Sequence, residues 1–166
     1  MGQSGEPRTL EGETATEVIL STFRANGLLL AAGDVISADE GLTSARWQVL
    51  GAIALAERPL TVPQIARRMG LTRQSVHVTV RRLVDDGLLE LAPNTDHRRS
   101  QLVHLTEGGR AAYVAMDARQ AAWVNRIADG IGRAELRTTV RVLDELCHRL
   151  EAHSREETEA IEGGDT

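Results

Sequence analysis

Arginine dominates the chemistry available to this chain. All 19 basic residues are arginine, and eight of them (Arg58, Arg67, Arg68, Arg73, Arg81, Arg82, Arg98, Arg99) lie between positions 58 and 100, against four acids (Asp85, Asp86, Glu90, Asp96). That window carries +4 in a chain of net charge −5, so the flanking segments together carry −9. A guanidinium offers five donors in a fixed fork suited to phosphate and to base edges. A polyanion responds to the local field rather than to the total charge. A charge cluster is equally explained as a solvated helix face, so the elements that carry these arginines decide between the readings.

Catalytic or metal chemistry finds no comparable concentration of residues. The five histidines (His77, His97, His104, His148, His153) are scattered, and none has metal-ligand spacing with a second His or Cys. His148 and His153 are five apart and fall on different faces of a helix. There is no glycine-rich phosphate loop and no nucleophile elbow. No catalytic residue, metal or cofactor is expected. The single cysteine, Cys147, excludes an internal disulfide framework and agrees with a reducing compartment. Aromatic residues make up 2% of the chain, too few for a single-strand stacking platform. No apolar run is seen to approach about 18 residues, and the first residues lack the basic-then-apolar order of a signal peptide. The expectation is a cytoplasmic protein with no membrane contact.

The elements that must position the arginines can be read from periodicity and caps. Residues 1–14 are polar and acidic and read as a flexible tail. From Ala15 to about Ala38, Val18, Ile19, Phe23, Leu28, Leu29, Leu30, Val35 and Ile36 form a broad helical pattern broken by Gly27 and Gly33, and Asp39–Gly41 ends it. Thr43 caps the next helix, whose apolar face is Trp47, Leu50, Ile53 and Ala54. Thr61-Val-Pro-Gln64 has the form of a capping box, with Pro63 in the first turn. A short helix burying Val62, Ile65, Ala66 and Met69 stops at Gly70, and a second begins after Leu71-Thr72 with Val76, Val80 and Leu83 inward. Two such helices joined by a Gly-containing turn make a helix-turn-helix.

Leu88–Ala92 and Gln101–Leu105 read as strands around the exposed hairpin tip Pro93–Ser100, forming a wing. Thr106 caps a long helix to about Asp129, where Asp129-Gly-Ile-Gly132 breaks it. In the last helix, Arg133 to about Ala160, Leu136, Val140, Leu143, Cys147 and Leu150 recur at spacings of 4, 3, 4 and 3 and call for a partner helix. The expected class is mainly α with a small β component (α+β). A winged helix-turn-helix spans 43–105, with its recognition helix at about 72–86 and wing at about 88–105. Helical regions flank it at 15–42 and 106–160, and a tail closes the chain at 161–166.

Helical phase selects the DNA-facing residues. With Val76, Val80 and Leu83 inward, Gln74, Val78 and Arg81 point outward, flanked by Ser75, His77 and Arg82. The N-terminal half of a recognition helix enters the major groove, so Gln74, Ser75, His77 and Val78 are placed for base edges. Gln74 matches adenine's donor and acceptor pair, and Val78 matches a thymine methyl. Thr72, Arg73 and Arg82 suit phosphates. In the wing, Arg98 and Arg99 suit a minor groove and Ser100 follows them. Asp96 either pairs with Arg98 or a recognition-helix arginine, or is simply a turn former. Each such residue alone is equally explained by solvation. A winged-helix protein-interaction module without operator binding remains the alternative, although it would have no need of eight arginines in the motif.

The order of GLTSARWQVL, LTVPQIARRMGLTRQSVHVTVRRLVDDGLLE and DHRRSQLVHLTEGGR between long terminal helices resembles the MarR family of bacterial regulators over about Val18 to Leu150. The family's wing motif falls on Asp96, Arg98 and Leu105-Thr106. Many members carry a basic or polar residue where this recognition helix has Val78. The resemblance implies a homodimer with intertwined N- and C-terminal helices, two wings on a pseudo-palindromic operator in double-stranded DNA, and repression of transcription. It also implies a small-molecule effector at the junction of the dimerisation and DNA-binding regions. Asn26, Arg46, Trp47 and Tyr113 are the candidate lining there, although a tryptophan on an apolar face, as Trp47 is, is more often a core residue. Cys147, in an apolar seam, is expected to be inert.

Overall fold

The computed structural model describes residues 7–38, 41–97 and 99–163. The elements run α1 (Leu10–Ser37), α2 (Ser44–Ala54), β1 (Leu60–Thr61), α3 (Val62–Met69), α4 (Arg73–Asp85), β2 (Leu89–Ala92), β3 (Leu102–Leu105), α5 (Glu107–Ile127) and α6 (Arg133–Gly163). The chain divides into two compact units at residues 122 and 123, with α6 in the second.

The winged helix is built around one apolar core. Val49, Leu50 and Ile53 of α2, Ile65 of α3, Val76, Val80 and Leu83 of α4, Leu89 and Val103 of the sheet and Met116 of α5 are all buried in it. The sheet order is β1-β3-β2, antiparallel throughout, with Leu89 opposite Leu105, Ala92 opposite Leu102, and Leu60 opposite Val103. The strand β1 has no counterpart in the sequence reading. Two residues carry no period of their own, and their extended conformation exists only because β3, some forty positions away, supplies the partner.

Two sequence boundaries are corrected. The first helix starts at Leu10, so residues 10–14 are not tail: Thr9 accepts the Gly12 N–H at 3.0 Å, and Glu11 and Glu13 sit favourably in the first turn. At the other end α6 continues through residues 161–163. Gly27 and Gly33 do not interrupt α1. Gly33 is where α1 crosses α2, since a Cβ there would lie 2.6 Å from Ser44 Oγ. Asp34 fixes that crossing by accepting the Ser44 N–H at 2.7 Å, a carboxylate at a helix N-terminus. An 18-residue window of α1 has a mean hydropathy of 1.3, long and apolar enough to cross a membrane by length and composition, contrary to the sequence reading.

The start of α5 is locked onto the end of α4. Thr106 Oγ1 donates to the Gly87 carbonyl at 2.7 Å and accepts the Gly109 N–H at 3.0 Å, while the Thr106 N–H donates to the Leu88 carbonyl at 3.2 Å. A Cβ on Gly109 would lie 1.9 Å from the Leu88 carbonyl oxygen, which is backbone and cannot swing aside. Gly109 is therefore required by close approach. Gly109→Ala should destabilise the fold by about 1–3 kcal/mol or more, measured by equilibrium denaturation; an unchanged midpoint would show that the approach is not tight.

Candidate DNA interface

The helix-turn-helix is set by two local devices. Gly70 adopts φ 62°, and behind it the Leu71 N–H donates to the Ala66 carbonyl at 2.9 Å and the Gly70 N–H to Arg67 at 3.3 Å, the paired bonds of a Schellman stop. Thr72 then caps α4 by accepting the Ser75 N–H at 3.1 Å. At the start of α3 the Thr61 N–H donates to Gln64 Oε1 at 2.8 Å, as the capping-box spacing implies. With Val76, Val80 and Leu83 buried, Thr72, Arg73, Gln74, Ser75, His77, Val78, Arg81 and Arg82 are all exposed. Val78 is 46% exposed, an apolar side chain on a polar face.

The wing turn is shaped by a residue that the sequence reading did not single out. Asn94 Oδ1 accepts the Asp96 N–H at 3.0 Å and the His97 N–H at 3.3 Å, and the Ser100 N–H donates to the His97 carbonyl at 2.9 Å. An Asn directly after proline in a hairpin tip is the available signal for such a turn. Asp96 makes no ion pair with Arg73, Arg81 or Arg82 among the described residues, and its carboxylate meets the Thr95 hydroxyl only at 3.5 Å. Its suggested pairing with a recognition-helix arginine is thus corrected. Arg98 lies outside the described residues. Arg99 is exposed and Ser100 half-buried. These two wing residues and His77 and Arg81 of α4 line one cleft of about 320 Å³.

The four residues expected to line an effector pocket are partly separated. Trp47 and Tyr113 both pack against the core, and Tyr113 lies over Gly51, where a Cβ would be 3.4 Å from its ring. Asn26 is exposed on α1. Arg46 turns to the recognition helix instead, forming an ion pair with Asp86 and donating to the Gly41 carbonyl at 3.1 Å. Two polar atoms in this region, Trp47 Nε1 and Arg46 Nε, are buried without a hydrogen-bond partner in the structure. Burial, followed by the nearby Asp117 carboxylate and its hydrogen bond, raises the Tyr113 phenol above its usual value. Cys147 is exposed on the single chain rather than buried. Among the described residues no cluster of three or more His, Cys, Asp or Glu side chains is arranged for a metal.

A Gly-stopped α3, a capped α4 with an exposed outer face and a two-stranded wing beside it define a winged-helix DNA-binding protein. The MarR family model matches residues 40–100. The chain is 45% identical over 122 residues to the uncharacterized protein Rv2011c of Mycobacterium tuberculosis, covering 74% of this chain and 84% of that protein. It is 30% identical over 100 residues to the transcriptional activatory protein BadR of Rhodopseudomonas palustris, covering 59% and 57%. Its fold matches that of CouR from Rhodococcus jostii bound to p-coumaroyl-CoA at a TM-score of 0.70, with 23% identity over 85% of this chain and 96% of that one. The chain belongs to the MarR family of winged helix-turn-helix transcription regulators, a family of DNA-binding proteins rather than enzymes.

Two outcomes check this geometry. A double-mutant cycle of Arg46→Ala and Asp86→Ala should give a coupling of about 0.5–1 kcal/mol, because the side chains are 19% and 50% exposed and the pair is screened. Additive losses in denaturant melts would show that the two do not pair. Tyr113 is the only tyrosine, so absorbance at 295 nm reads it alone. It should ionise above pH 10 in the native chain and near 10 when unfolded; stability then falls as pH rises from 10 through the raised native value. Identical titrations in both states would remove the burial assigned to the phenol.

Proposed function

We propose that the protein represses transcription in the cytoplasm by binding a pseudo-palindromic operator as a homodimer, under the control of a small-molecule effector. The observation that carries this reading is the shared exposure of the outer face of α4 and the wing base, with His77, Arg81, Arg99 and Ser100 around one cleft. Gln74 and Val78 would read base edges from the major groove, assisted by Ser75 and His77. Thr72, Arg73, Arg81 and Arg82 would hold phosphates, and Arg98 and Arg99 would enter the adjacent minor groove. Asp96 and Ser100 would shape the wing.

Dimerisation is supported by apolar side chains left in solvent. On α1, Ile19, Leu20, Phe23, Leu28, Leu29 and Leu30 are exposed, Phe23 to 70%, and on α6 Leu136, Val140 and Leu150 are exposed. On each helix, taken by itself, exposed apolar side chains in this number are the mark of an interface. Effector control is supported by the buried, unpartnered Nε1 of Trp47, which like Tyr113 packs against the core, and by ligand-bound structures of the same fold, CouR with p-coumaroyl-CoA among them.

Fluorescence anisotropy on the DNA upstream of its own gene, with salt titration and footprinting, tests the proposal. Affinity should fall steeply with salt, and protection should cover two half-sites about one helical turn apart. Gln74→Ala should cost about 1–3 kcal/mol and relax preference at one base pair, whereas Arg73→Ala should weaken all sequences alike and reduce the salt slope by about 1. Salt-independent binding, or binding lost to non-specific competitor, would reject operator recognition. Expression from the linked promoter should rise when the gene is deleted; a fall would make the protein an activator.

A further inference from the structure

The recognition helix turns two different flanks outward. His77, Val80 and Arg81 line the cleft beside the wing, whereas Gln74 and Val78 do not. Arg99 and Ser100 line the same cleft from the wing. We propose that this cleft holds one phosphodiester of the DNA strand that separates the two grooves, with His77 as a protonated ligand of it. Duplex binding then takes up a proton and tightens as the pH falls from about 8 to about 6. This deepens the DNA-binding reading and rests on it.

The strand's path follows from the geometry of the duplex. A helix in the major groove and a wing in the neighbouring minor groove leave one sugar-phosphate strand between them, and that strand must pass between the two elements. The cleft there carries three side chains suited to a phosphate: the guanidinium forks of Arg81 and Arg99 and the imidazole of His77. Among the described residues none of the three forms an ion pair or a side-chain hydrogen bond. His77 is therefore assigned to the backbone, one flank away from the base-reading Gln74 and Val78.

Charge explains why a proton should accompany the strand. Besides His77, the charged groups among the described residues that line the cleft are Arg81, one turn along α4, and Arg99 on the wing; both are basic. Arg73, one turn back on α4, is basic as well. The first turn of α3 and the sheet contribute only the uncharged Val62, Pro63, Leu91 and Val103. A proton on His77 of the free chain would join those cations with no carboxylate on the cleft to offset it. A phosphodiester stays anionic throughout this pH range, so its arrival favours the imidazolium over the neutral ring. The proton comes from the solvent and remains on the imidazole, and no covalent bond is made or broken. Because a phosphate contact reads no sequence, the linkage belongs to any duplex the protein binds.

Fluorescence anisotropy on the full chain, between about pH 6 and pH 8 at fixed ionic strength, tests this. The probes are the duplex from upstream of its own gene and a mixed-sequence duplex of the same length. Affinity for both should fall by up to about tenfold as the pH rises, the limit for a one-unit change in a single group. His77→Gln should bind both duplexes with little pH dependence, while His97→Gln, in the wing turn, should keep it. Calorimetry in two buffers of different ionisation enthalpy should show proton uptake by the wild type and none by His77→Gln, a difference that a merely structural role would not produce. Circular dichroism melts check that each variant is folded. A pH-independent affinity, a linkage retained by His77→Gln, or a linkage confined to the upstream duplex would overturn the proposal while leaving DNA binding intact. Failure to bind either duplex at any pH would overturn the DNA-binding reading together with it.

Discussion

The wing and both of its neighbouring helices depend on one contact, the passage of α5's first turn across the Leu88 carbonyl. Only a residue without a Cβ can stand at position 109, because that atom would fall 1.9 Å from the carbonyl oxygen. The approach lets Thr106 serve two helices at once, donating to Gly87 at the end of α4 and accepting from Gly109 at the start of α5. The chain between Gly87 and Thr106 is the wing, a closed excursion whose two ends are tied at its base. Recognition helix, wing and α5 are thereby joined through backbone and near-backbone groups rather than through long side chains. A displacement of α5 would consequently reach the end of α4 and the base of the wing with little slack.

Charge is distributed with the same economy. The acids of α4, Asp85 and Asp86, stand at its C-terminal end, where the helix dipole disfavours them and a DNA phosphate would too. Asp86 is engaged by Arg46 from α2, which holds that carboxylate away from the half of α4 that would enter a groove. Arg73, Arg81 and Arg82 keep no acidic partner among the described residues. An acidic chain thus presents a basic face because its acids are spent elsewhere on the molecule.

Legibility in the sequence followed the range of the interactions. Gly70, the Thr72 cap and the Val76, Val80, Leu83 period are decided within four residues of themselves, and the helix-turn-helix was readable from them. The strand β1 was not, since its extended state is conferred by Val103 and Leu102 across the sheet. The role of Gly109 was hidden for the same reason: a glycine that opens a helix looks like a cap until the opposing carbonyl is known. Two local signals were present and outweighed. Thr9 with Glu11 and Glu13 marked the true start of α1 beneath a polar composition, and Asn94 marked the wing turn beside the more conspicuous Asp96. For the site itself, exposure of the outer face of α4 was predictable from phase, whereas the diversion of Arg46 from the effector region to Asp86 required knowing that α2 and α4 meet.

Burial also shows why α1 carries so much apolar surface without belonging to the core. Its C-terminal turns are committed to the winged helix through Gly33 and the Asp34 bond to Ser44. The preceding stretch, from Ile19 to Leu30, covers nothing in its own unit. Each large apolar side chain left in water forgoes about 1.5–3 kcal/mol relative to full burial, and a soluble domain rarely keeps so many in one stretch. The helix would also satisfy a membrane by composition, but a bilayer would have to accommodate an end already fixed to a polar, arginine-bearing domain by the part-buried Asp34–Ser44 hydrogen bond. A second copy of the same helix imposes no such conflict. It would bury the same side chains while leaving the Asp34 anchor, and the winged helix that depends on it, where they are.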